Sequence, residues 1–78
     1  MEMSQSALTH SPQKRLQHRG LSQKELAEKI GSPQGAVSNW FRGLKPGELK
    51  QTQILQVMNE AGDELGLDRL TGDDLWPK

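Results

Sequence analysis

Cysteine is absent from the chain, so neither a disulfide nor a thiolate metal site can supplement its core, and a reducing compartment is compatible with it. Long apolar runs are absent too. No segment approaches the roughly 20 apolar residues that span a bilayer, and residues 1–13, MEMSQSALTHSPQ, have no basic start leading into an apolar stretch. A soluble, cytoplasmic protein is the expectation. β-Branched residues are sparse and apolar–polar alternation is never sustained, which leaves little basis for strands. At 78 residues surface outweighs volume, so a single domain with a thin core, one that gains from pairing, is expected.

Net charge is lacking as well, with ten basic and ten acidic residues, but the two signs are segregated. Residues 1–47 hold seven basic and three acidic side chains, and residues 48–78 hold three basic and seven acidic ones. A first half facing a polyanion accounts for this, and so does the unevenness common in small proteins.

What is present reads as helices punctuated by glycine. The first ten residues are polar and aperiodic and are expected to form a flexible N-terminal arm, with residues 11–78 making the domain. Ser11 and Pro12 fit an N-cap and first helical residue, Leu16 an inward position and Gly20 a stop. The next helix is written more fully. Ser22 and Glu25 have capping-box spacing, flanked by Leu21 and Leu26 at staple positions. Leu26, Ala27 and Ile30 share one face, while Lys24, Glu25, Glu28 and Lys29 share the other. Gly31 is placed to end this helix in the left-handed conformation, and Ser32 with Pro33 to cap and begin the following one.

That third helix is predicted to run from Pro33 to Phe41 or Arg42, with Ala36, Val37 and Trp40 facing the core. The other face is unusual. Gln34, Ser38 and Arg42 align at spacings of four, with Gly35 and Asn39 beside them. A merely solvated face would more usually carry Lys and Glu, and Gly35 sacrifices helix propensity, a cost easier to understand where a backbone or a base must come close.

Two helices joined by a three-residue turn, the second presenting amides and an Arg, match the helix-turn-helix of DNA-binding proteins. The stretch LSQKELAEKIGSPQGAVSNWFRG, residues 21–43, resembles the Cro and phage-repressor family of helix-turn-helix regulators, also called the xenobiotic-response-element family. Its matching positions are Gln23, the ELA of 25–27, Ile30 with Gly31, and the VSNW of 37–40 ahead of Gly43. The resemblance implies an all-α, lambda-repressor-like domain of four to five short helices, with a helix-turn-helix core over 22–42 and a C-terminal packing or dimerisation part over 48–78. It also implies that Gln34, Ser38 and Asn39 reach base edges in the major groove, where amides suit adenine, and that Gly35 stands among them. Gly35 departs from the polar side chain usual in the family, and shape readout or a thymine methyl is expected to replace that contact. Gln23 and Lys24 would hold phosphate at a helix start, Arg42 and Lys45 would grip the backbone beyond the third helix, and Lys14 and Arg15 would assist.

Each residue has a plainer role to weigh. Trp40 belongs with the core rather than with a stacking platform, and Phe41 beside it is open to half exposure. Lys14, Arg15 and Arg19 fit an ordinary solvated helix face equally well. His10 and His18 lack a ligand pattern, so no metal is expected. Asp63 with Glu64, and Asp73 with Asp74, lack a catalytic companion and suit solvated helix ends, so no enzyme activity and no cofactor are expected.

After the Pro46–Gly47 turn, a helix is predicted from Glu48 or Thr52 to Leu65, with Ile54, Leu55, Met58, Ala61 and Leu65 on one face and Gly66 as its stop. Thr71 and Asp74 then suit the cap of a last short turn. Leu67, Leu70, Leu75 and Trp76 either close the monomer's core or form a two-fold interface. The function the resemblance implies is a double-stranded-DNA-binding transcriptional regulator, a phage or bacterial repressor acting as a homodimer on a palindromic operator, with no membrane or small-molecule partner. The alternative is an antitoxin or other protein-interaction module built on the same fold.

Overall fold

The computed structural model describes residues 11–76. The expected arm over 1–10, His10 and the last two residues lie outside that range. Five helices follow one another: α1 Pro12–His18, α2 Gln23–Ile30, α3 Gln34–Phe41, α4 Glu48–Leu65 and α5 Gly72–Leu75. No strand occurs among the described residues.

Local chemistry sets most of the helix ends. Ser11 Oγ accepts the Lys14 amide at 3.2 Å and starts α1. At α2 the capping box is complete, Ser22 Oγ accepting from the Glu25 amide and Glu25 Oε1 from the Ser22 amide, both at 3.0 Å. Gly31, at φ 69° and ψ 36°, ends α2 in a Schellman motif: its amide reaches Glu28 O at 3.4 Å and the Ser32 amide reaches Ala27 O at 2.9 Å. Ser32 does not cap α3. The extended cap conformation moves one residue on, to Pro33 at φ −65° and ψ 145°, and α3 starts at Gln34 with no side-chain cap.

The core gathers Leu16 from α1, Leu26, Ala27 and Ile30 from α2, Val37 and Phe41 from α3, and Ile54 and Met58 from α4. Phe41 is buried and Trp40 only partly so, the reverse of the expected order. Phe41 lies four residues beyond fully buried Val37, about 40° round the helix, whereas Trp40 at three residues is turned about 60° the other way. α4 begins at Glu48, with Thr52 already inside it and donating to Glu48 O at 3.1 Å. Its buried face is Ile54, Met58, Asn59 and Gly62; Leu55 and Ala61 sit at the edge and Leu65 is exposed.

Arg19 stands beside that face. It is 6 % exposed, not part of a solvated helix face. Its guanidinium donates to Met58 O (3.2 Å), Arg15 O (3.1 Å) and Asp68 O (2.8 Å), and a Cβ on Gly62 would lie 3.0 Å from its Nε. Arg19 thus lies against α4 at Gly62, and Leu65, in the following turn, is exposed. Burial, and then the Arg15 guanidinium nearby, push the Arg19 pKa below its ordinary value, while Asp68 acts the other way.

Leu70, Leu75 and Trp76 close the bottom of the monomer's core, and Leu67 remains at the surface. Asn59 fastens this segment: its Nδ2 donates to Leu70 O at 3.0 Å and its Oδ1 accepts the Leu70 amide at 2.7 Å. At α5 the Asp74 carboxylate accepts the Thr71 amide at 2.8 Å, the reach-back half of a cap.

Candidate nucleic-acid interface

α2 and α3 cross through the short turn 31–33, with buried Ala27 on α2 and Val37 on α3. That crossing commits one side of α3 to the core and leaves the other outward. Gln34, Gly35 and Asn39 are exposed, Ser38 is half-buried and Arg42, just past the helix, is exposed. None of the side chains of Gln34, Ser38, Asn39 or Arg42 has a hydrogen-bond partner among the described residues. The face therefore offers two amides, a hydroxyl and a cation uncommitted among the described residues, a set able to donate to and accept from a polar edge.

Gly35 leaves a gap in this row that the fold does not require. A Cβ there would meet nothing within 4 Å, and Gly35 is not among the residues of positive φ. The first turn of α3 has no side-chain cap, so the amides of Gln34 and Gly35, beside this gap, have no intrahelical acceptor, whereas the Ala36 amide reaches Pro33 O at 3.1 Å.

The expected phosphate group divides. Lys14, Lys24, Arg42 and Lys45 are all exposed. Gln23 is half-buried, and its Nε2 donates to Gln13 Oε1 at 2.7 Å. This bond, which sequence spacing does not reveal, ties the start of α1 to the start of α2 and so brings the neighbouring Lys14 and Lys24 onto adjoining segments. Arg15 is half-buried, and its carbonyl holds Arg19. Arg42 and Lys45 flank the turn that ends α3, where the Leu44 amide reaches Asn39 O at 3.1 Å. His18 is exposed, and no group of three or more metal-ligating side chains occurs among the described residues. No helix among them is long and apolar enough to cross a membrane.

A supporting helix locked by a capping box, a Gly-based turn, and a second short helix with an unoccupied polar face define a helix-turn-helix of the DNA-binding class. A model of the helix-turn-helix family matches residues 13–65, more than half of the chain, and the chain belongs to that family, in its Cro and C1 type. No curated protein and no solved structure matches it. The match spans α1 to α4 and stops at the end of α4.

Proposed function

We propose that the chain is a sequence-specific regulator of transcription, a cytoplasmic repressor of phage or bacterial type, that lays α3 in the major groove of duplex DNA and binds a palindromic operator as a homodimer. One observation carries this reading: Gln34, Ser38 and Asn39 stand on the outward side of α3 with no side-chain hydrogen-bond partner among the described residues, next to exposed Arg42 and Lys45. Gln34, Ser38 and Asn39 read base edges, with Gly35 allowing close approach. Gln23, Lys24, Arg42, Lys45, Lys14 and Arg15 serve the phosphates. No catalytic step, cofactor or small-molecule ligand enters.

Selection of bound duplexes from a random pool tests the reading. It should enrich a palindrome with half-sites about 10 base pairs apart, and affinity for it should fall log-linearly with salt, by about 0.9 per phosphate neutralised. Gln34→Ala should relax one base position at a cost of about 1 to 3 kcal/mol, whereas Arg42→Ala should weaken all duplexes alike and flatten the salt slope by about one. A pool that enriches nothing, or binding indifferent to salt, rejects the regulator. It would favour instead a protein-interaction module such as an antitoxin, the reading to which exposed Leu44, Leu49, Leu65 and Leu67 lend support.

A further inference from the structure

Beyond residue 65, where the family match ends, the chain folds back on the domain, and beside the exposed Arg69–Asp63 ion pair at 3.8 Å three side chains hold it by hydrogen bonds among the described residues: Arg19, Asn59 and Trp76. Arg19 holds the Asp68 carbonyl and Asn59 holds both backbone groups of Leu70; these two fasten the segment to α1 and α4. The third is different. Trp76 is 3 % exposed, and its indole Nε1 donates at 3.0 Å to the carbonyl of Trp40, 36 positions earlier, in the last turn of α3.

α3 depends on such support. It has eight residues and no side-chain cap at its start, and a helix that short does not persist on its own. Val37 and Phe41 hold it by packing, which resists separation better than sliding or rotation. A directed bond at its C-terminal end from a rigid ring, itself enclosed by the core, restrains both. The outward residues Gln34, Ser38 and Asn39 lie within six positions of Trp40, so their aim follows the orientation fixed there.

We propose that Trp76 is a positioning residue for α3: the segment after the family domain holds the base-reading helix at its working angle without itself touching DNA. This rests on the reading of α3 as the base-reading helix. The full chain and its Trp76→Phe variant, which keeps an aromatic ring but removes the N–H, are compared by hydrogen exchange and by titration with the duplex enriched from the random pool. The variant should exchange amides of residues 34–43 faster while those of α1 and α4 change little. It should bind the duplex about three- to tenfold more weakly, as loss of one hydrogen bond allows, with an unchanged salt slope. Unaltered affinity, or exchange accelerated evenly over all helices, overturns the proposal, the second result leaving Trp76 a core residue only. Should Trp76→Phe not fold, the wild-type indole N–H decides: exchange as slow as that of the α3 amides supports the restraint, and exchange at the rate of an exposed indole refutes it. If the wild-type chain binds no duplex, the DNA reading fails, and the exchange pattern still reports whether Trp76 restrains α3.

Discussion

Asn59 is a polar residue placed where an apolar one would be expected, one position after fully buried Met58, and both its amide groups are spent on Leu70. Asn59→Ala strands a buried N–H and a buried carbonyl together, and should cost about 2 to 4 kcal/mol, read as a lowered denaturant midpoint with an unchanged slope. Asn59→Asp is the sharper probe. The carboxylate still accepts the Leu70 amide, but its second oxygen meets the Leu70 carbonyl and cannot donate unless protonated. Its folded-state pKa is thereby raised above the unfolded value of about 3.9, so the variant gains stability as pH falls toward that value and loses it as pH rises. Melting of Asn59→Asp at pH 5 and pH 7 should show the lower pH more stable relative to wild type; no difference would mean that the Leu70 carbonyl does not face this side chain. Gly35 makes the opposite case, a residue the fold could improve. With open space at its Cβ, Gly35→Ala should stabilise the chain by about 0.5 to 1 kcal/mol yet weaken binding of the selected duplex. Higher stability with undiminished affinity would show that nothing approaches α3 at that point.

Elements whose ends are fixed by side chains a few residues apart are legible in the amino-acid sequence alone. α2 is the clearest, with Ser22, Glu25 and Gly31 in their expected roles. Ser22→Ala should cost about 1 kcal/mol, a fall of about 4 to 8 °C in melting temperature for a domain of this size. In the Ser22→Ala, Glu25→Ala double variant the losses should be less than additive, because the two bonds close one ring. A fully additive result would mean that the box does not act as a unit. The start of α3 lies one residue beyond its expected place: Ser32 completes the Schellman motif that ends α2, and the first helical acceptor is the Pro33 carbonyl, reached by the Ala36 and Val37 amides at 3.1 and 3.3 Å. The order of Trp40 and Phe41 turns on which side of Val37 the supporting helices lie, a fact no local pattern contains. Nor does spacing disclose that Arg19 turns inward, since its three acceptors lie at positions 15, 58 and 68. The outward row on α3 is legible from period alone, whereas the Gln13–Gln23 bond joining the two basic segments depends on how α1 meets α2.

At the scale of the whole chain, the basic first half carries α1 to α3 and the acidic second half carries α4 and α5. The cations are thus concentrated on the elements of the helix-turn-helix and the carboxylates on later ones, so near-zero net charge is no bar to binding a polyanion. The same plan bears on pairing. Exposed leucines occur at both ends of α4, Leu44 and Leu49 by its start and Leu65 and Leu67 by its end, about 27 Å apart over its 18 residues. A two-fold interface places the same patch on both subunits, and either end would set a different separation between the two α3 helices. The homodimer reading therefore predicts that sedimentation at micromolar concentration with the selected duplex gives twice the 8.7 kDa chain per operator. One of Leu49→Glu and Leu65→Glu should return it to a single chain while leaving binding of an isolated half-site intact. If both variants assemble like the wild type, the leucines are not the interface, and if the wild type occupies its operator as one chain, the homodimer is wrong.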